Sequence, residues 1–111
     1  MKVLHLLILL STLLMAGCSN LLYYPNQNRL YYDPGSVGFS PNDVYFTDVA
    51  QRKLHGWWFP SKPMPAKGTV VFFHGNAENL TSHFMHLAWI SAEGYNFFIF
   101  DYPGYGLSEG K

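Results

Sequence analysis

The apolar positions of this chain fall into blocks with different periods. From Val3 to Leu14 they are almost continuous, interrupted by His5 and the pair Ser11-Thr12. Met1-Lys2 places a positive charge before the block, and the small residues Ala16-Gly17 follow it. Charge, apolar run and small residues form the three-part pattern of a secretory signal peptide. The run is too short to cross a hydrocarbon core, which takes about 20 residues. Next comes a stretch up to residue 42 that is rich in Tyr, Pro, Asn and Gly, with Tyr24-Pro25 and Asp33-Pro34-Gly35 as breakers. Regular structure is not expected over most of it, although its aromatics suggest that part of it packs on the domain.

Two short β-branched and aromatic runs follow, Val44-Tyr45-Phe46-Thr47 and Leu54-His55-Gly56-Trp57-Trp58-Phe59. Ala50-Gln51-Arg52 lies between them, so the spacing predicts a hairpin. Pro60 to Lys67 holds three prolines and two lysines and reads as a surface loop. The pattern then changes. Thr69-Val70-Val71-Phe72-Phe73 and Tyr95-Asn96-Phe97-Phe98-Ile99-Phe100 are apolar on consecutive residues. Such runs predict parallel strands buried on both faces. Between them Leu80, Phe84, Leu87, Ala88 and Trp89 make a helical stripe, predicting a helix over 79–92 closed by Gly94. Strand, helix and strand make a βαβ unit after the hairpin, so the fold class is α/β.

Composition narrows the reading. With 7 basic and 7 acidic residues in 111, the chain has no electrostatic footprint for nucleic acid. A 13% charged fraction beside 18% aromatics argues against disorder. The single cysteine excludes an internal disulfide and a four-cysteine zinc site. No metal and no cofactor are expected.

That cysteine closes Leu14-Met15-Ala16-Gly17-Cys18. The segment resembles the lipobox of bacterial lipoproteins, with Met15 where leucine is commonest. The resemblance implies that Cys18 becomes the first mature residue and carries acyl chains. Two or more chains anchor stably where one is marginal. Ser19 after the cysteine resembles lipoproteins sent to the outer membrane. The expected partner is therefore a membrane, reached through the lipid on the exported face. Loss of the leader leaves 94 residues with no basic patch for anionic lipid.

Two motifs carry chemistry. His74-Gly75-Asn76-Ala77 ends one buried strand and opens the helix; Asp101-Tyr102-Pro103-Gly104-Tyr105-Gly106-Leu107-Ser108-Glu109-Gly110 follows the next. Open α/β sheets bind ligands at the carboxyl ends of their strands. Free backbone N–H groups at such a turn suit an oxyanion, the negative oxygen that develops on a carbonyl under attack. The two motifs together resemble the serine-hydrolase branch of the α/β-hydrolase superfamily, over about residues 44–110, and Leu54-x-Gly56-Trp57 with the proline after that strand matches too. The resemblance implies the N-terminal portion of a hydrolase sheet, incomplete as given. It implies oxyanion donors at Asn76 and Ala77, with His74 and Gly75 supporting that loop. Pro103 stands where the branch often has arginine, so any ion pair of that arginine is lost.

Gly106-Leu107-Ser108-Glu109-Gly110 satisfies the letters of a nucleophile elbow, but the elbow serine sits directly between a strand and a helix. Pro103-Gly104-Tyr105 intervene here, so Ser108 is expected to hydrogen-bond within its loop. His83 and His86 lie three apart without an evident third metal ligand. His55 is expected on a half-exposed strand face. No histidine matches the catalytic position of the branch, whose nucleophile, acid and histidine all follow the second motif.

The expected organisation is a lipoprotein signal peptide over 1–17, a tether over 18–42 and the first part of a hydrolase domain over 43–111. No catalytic residue is expected within these 111, and turnover by the chain alone is not expected. A complete fold would act on an ester, thioester or amide. In the family order the Val70 strand has a further strand beside it; without that strand it is an exposed, aggregation-prone edge. The competing expectation is a short lipoprotein that uses half a hydrolase fold for binding or assembly.

Overall fold

The computed structural model describes residue 5 and residues 23–111. The expected leader over 1–17 and the expected acylation site Cys18 lie, His5 apart, outside the described residues. Four strands form one mixed sheet: β1 (Asn42–Thr47), β2 (Lys53–Phe59), β3 (Gly68–Phe72) and β4 (Tyr95–Phe100). Their spatial order is β1-β2-β4-β3, with β1–β2 and β2–β4 antiparallel and β3–β4 parallel. The expected hairpin and parallel pair are both present.

The hairpin turn is built around Asp48. Its carboxylate accepts the N–H groups of Ala50 and Arg52, each at 2.9 Å, and pairs with the Arg52 guanidinium at 2.7 Å. These contacts, the Arg52 backbone amide foremost, hold the carboxyl below its ordinary range. Register then pairs Val44 with Gly56 and Gly56 with Phe100. Gly56 is glycine because β4 crowds it. A Cβ there would stand 2.7 Å from the Phe98 ring and 2.8 Å from the Ile99 carbonyl oxygen.

The segment between β3 and β4 departs from the predicted helix. It is one α-helical turn, α1 (Leu80–His83), followed by 3₁₀ turns over Phe84–His86 and Ala88–Glu93. Leu87, at φ −137°, interrupts the helical path. The apolar stripe still meets the sheet, since periods of 3.0 and 3.6 both return residues to one face. Trp89 does not follow it. That indole is 55% exposed, and Ile90 takes the core position instead. Gly94 closes the segment as expected, its N–H on the Ile90 carbonyl.

The core lies on one face of the sheet. Trp57, Phe59, Phe97 and Ile99 meet Leu80, Phe84, Ala88 and Ile90. Phe59 and Phe84 stack with ring centres 5.8 Å apart. The opposite face carries Phe46, Trp58, Phe98, Phe100 and Phe73, linked by ring contacts of 5.4–6.4 Å. Burial in β4 therefore alternates: Phe97 and Ile99 are buried, Phe98 and Phe100 only half-buried. The expectation of strands buried on both faces is corrected here. Among the described residues the helical segment covers one face only. Val71 on β3 is 47% exposed and Phe73 just beyond it 66%.

Candidate active site

The carboxyl ends of β3 and β4 bring the two motifs together. Phe72 pairs in parallel with Ile99, so the loops that leave the two strands start side by side. His74 and Asp101 follow at once and are both buried. The His74 Nε2 lies 3.0 Å from Asp101 Oδ1, close enough for an ion pair but without hydrogen-bond alignment. The other ring nitrogen, Nδ1, is 2.7 Å from the Gly75 carbonyl oxygen. Asp101 Oδ1 also accepts the Leu80 N–H at 2.7 Å, so one carboxylate ties the second motif to the first turn of α1. Asn79 caps that turn by accepting the Thr81 N–H at 2.9 Å.

Aromatic rings wall this centre. His74 is stacked between Tyr102, 4.4 Å away, and His83, 5.2 Å away. Burial lowers the His83 pKa below its ordinary value, and His74 and His86 lower it further by like charge. Burial raises the Tyr102 hydroxyl, and the nearby Tyr105 and Asp101 add to the rise. Tyr102 donates to the His74 carbonyl oxygen at 2.7 Å, a second link between the motifs.

Asn76 and Ala77, the expected oxyanion donors, sit at the turn that follows β3. Ala77 has φ +79°, a left-handed conformation unusual for a residue with a Cβ. Its N–H is engaged inside the loop: it donates to Asn76 Oδ1 at 2.9 Å. The same oxygen accepts the Tyr24 N–H at 2.9 Å and the Tyr105 hydroxyl at 2.6 Å. Gly75 lies against the His83 ring, to which a Cβ would come within 3.5 Å.

The loop after β4 is packed and closed. Ser108 is buried, its Oγ donating to the Asp101 carbonyl oxygen at 2.7 Å and accepting the His55 N–H at 2.9 Å. The bond to Asp101 is the in-loop role expected of it; the bond to His55 reaches beyond the loop to β2. His55 corrects its own expectation. It is 2% exposed, not half-exposed, because β1 and the loop after β4 close over it. Its Nε2 lies 2.6 Å from Asp43 Oδ1, which also accepts the Trp57 indole N–H at 3.1 Å. A cavity of about 330 Å³ opens beside this group, bounded by Arg29, Leu30 and Leu107. Ser108, His55 and Asp43 do not form a catalytic relay: the serine meets the backbone of His55, not its ring. Among the described residues no group of three His, Cys, Asp or Glu is placed to hold a metal ion.

The described part of the 18–42 stretch lies against these loops. Gln27 bridges in parallel to Gly106, and the Tyr23 hydroxyl donates to the Pro103 carbonyl oxygen. The Tyr23 ring meets Tyr105 edge-on at 5.2 Å. Thr81 accepts the Tyr31 and Tyr32 amides, and Asn79 donates to the Arg29 carbonyl oxygen. The sequence contained a signal for this strap, the tyrosines at 23, 24, 31 and 32, but not its target. Asp101, Tyr102 and Tyr105 had no role in the sequence reading beyond their motif. Among the described residues no helix is long and apolar enough to cross a membrane.

Comparison with known proteins places this arrangement. In solved structures the four-stranded sheet resembles part of an α/β-hydrolase fold. The esterase Pf2001 of Pyrococcus furiosus matches with a TM-score of 0.64 and 29% identity, over 81% of this chain and 34% of that one. The alpha/beta hydrolase GrgF from a Penicillium species matches with a TM-score of 0.56 at 24% identity, over 65% and 25%, a likeness of fold alone. By sequence the chain is similar to the uncharacterized protein YfhR of Salmonella typhi, 34% identical over 97% of this chain and 37% of the relative. YfhR of Escherichia coli K12 is 36% identical over 82% and 32%. The chain thus spans about a third of the length of the curated relatives it matches. No protein-family model matches it.

Proposed function

We propose that this chain is the N-terminal part of a serine hydrolase held to a bacterial membrane, on its exported face, by a lipid on Cys18. The observation that carries the reading is the turn at Asn76-Ala77. It stands at the carboxyl end of β3, beside the loop that leaves β4, where a hydrolase of this fold needs backbone donors. Its fold likeness to an esterase supports the same chemistry. In that reaction a serine outside these 111 residues attacks an ester, thioester or amide carbonyl, and a histidine takes its proton. The N–H groups of Asn76 and Ala77 receive the oxygen as charge develops on it. His74 and Gly75 hold the loop in place. Ser108 takes no part.

Hydrolysis of a p-nitrophenyl acyl ester by the natural gene product, recovered from membranes, tests this. Activity blocked by a fluorophosphonate is expected. Activity that survives the probe overturns the serine mechanism. Palmitate incorporation that is lost in Cys18→Ser tests the anchor, and labelling that persists in that variant contradicts it.

A second reading is favoured by the aromatic face that carries Phe98, Phe100 and Phe73. A chain that uses half the fold for assembly would bury that face against a partner. A stable oligomer without hydrolysis would support it.

A further inference from the structure

The hydrogen bonds at Asn76 Oδ1 bear on how the oxyanion turn is controlled. A carbonyl oxygen has two lone pairs. This one receives three donors: the Ala77 amide of its own turn, the Tyr24 amide of the strap and the Tyr105 hydroxyl of the loop after β4. Three separate segments of chain therefore meet on one atom. The Tyr105 side of the junction is rigid. The residue is 1% exposed, its ring wedged edge-on against Tyr23, His74 and Tyr102. Asn76 and Ala77 are both exposed. An exposed carboxamide has more room to turn than a buried phenol.

We infer that the Asn76 side chain is a latch on the oxyanion turn, and that Tyr105 is the positioning residue that holds it shut. With the latch shut, the Ala77 amide is satisfied inside its own loop. A carbonyl oxygen can claim that N–H only when the Asn76 carboxamide turns away. Tyr105 sets the position of Asn76 Oδ1 from below, and the strap adds its hold through the Tyr24 amide. The strap is the stretch that follows Cys18, so tension or release in it reaches the oxyanion turn through the Tyr24 amide and through the Tyr23 ring against Tyr105. The inference rests on the reading of Asn76-Ala77 as the oxyanion site. The latch itself is measurable without any hydrolysis.

Amide hydrogen exchange in the full 111-residue chain, isotopically labelled in detergent micelles, is the test. Tyr105→Phe removes the hydroxyl and keeps the ring. Losing one hydrogen bond from the junction should speed exchange at Ala77 by about fivefold or more. Exchange at Phe97 and Ile99 in β4 should not change. A uniform rise that includes β4 reports a merely structural role and overturns the inference, as does an Ala77 rate left unchanged.

Asn76, being exposed, gives a second pair of variants that bypasses any folding defect at position 105. Asn76→Ala should deprotect Ala77, and Asn76→Asp, which keeps an acceptor oxygen, should restore most of the protection. Equal rates in the two variants would overturn the latch. A latch found without ester hydrolysis leaves the latch standing and removes the hydrolase reading, so the two fail separately.

Discussion

Gly106 and the Asp101 carboxylate are in direct contact. A Cβ built on Gly106 would stand 1.8 Å from Asp101 Oδ2, an oxygen that is buried and has no hydrogen-bond partner among the described residues. Gly106 also has φ +50°, and its N–H and carbonyl oxygen bond the strap at Asn26 and Asn28. The loop after β4 thus folds back onto the end of its own strand, and only a residue without a side chain permits that approach.

Gly106→Ala should therefore act far more severely than a surface change. Either Asp101 moves, releasing His74 and the Leu80 amide, or the loop moves, releasing the strap. An expected loss is about 3 kcal/mol or more, in the range of buried clashes and broken polar networks. The midpoint of urea unfolding, followed by tryptophan fluorescence, measures it. A midpoint within error of the parent would contradict the contact.

Ser108→Ala separates structure from chemistry at the one serine that matches an elbow pattern. The change leaves the Asp101 carbonyl oxygen and the His55 N–H without their buried partner. Loss of such a partner costs about 1–3 kcal/mol. The same unfolding measurement should show that loss. In the natural gene product, ester hydrolysis per folded molecule should stay unchanged. Abolished hydrolysis with unaltered stability would reverse the assignment.

His83 makes stability depend on pH in a definite direction. Its pKa in the folded chain is lowered from 6.5, first by burial and then by His74 and His86. As pH falls, the unfolded chain takes up the proton before the folded chain does. Stability from this source is full above about pH 6.5 and drains as pH drops toward the lowered folded value. His83→Phe should flatten the fall in unfolding midpoint between about pH 6.5 and pH 5. An identical pH profile in parent and variant would contradict the burial of this ring.

Much of this architecture is legible in the sequence, and the reasons are local. β-branched and aromatic runs mark the four strands, and Gly94 marks a helix end, whereas the close approach at Gly56 shows only once β4 lies beside it. Period alone does not distinguish an α-helix from 3₁₀ turns, so the break at Leu87 leaves no trace in the apolar stripe. Consecutive apolar residues in β3 and β4 state that both faces seek cover. They do not state which described residues supply it, and the helical segment supplies one face. The candidate oxyanion residues are visible as a motif, but their hydrogen-bond partners are not. Tyr24 and Tyr105 lie 52 and 29 residues from Asn76, and only the packed strap brings all three to one oxygen.

Site-mapped fluorophosphonate labelling tests the central claim most directly. The 111-residue chain in detergent, with protected Phe97 and Ile99 amides as proof of folding, should take no label at any serine. The natural gene product should take one label, on a serine outside these 111 residues. A stoichiometric adduct on Ser108 in either sample would contradict the account.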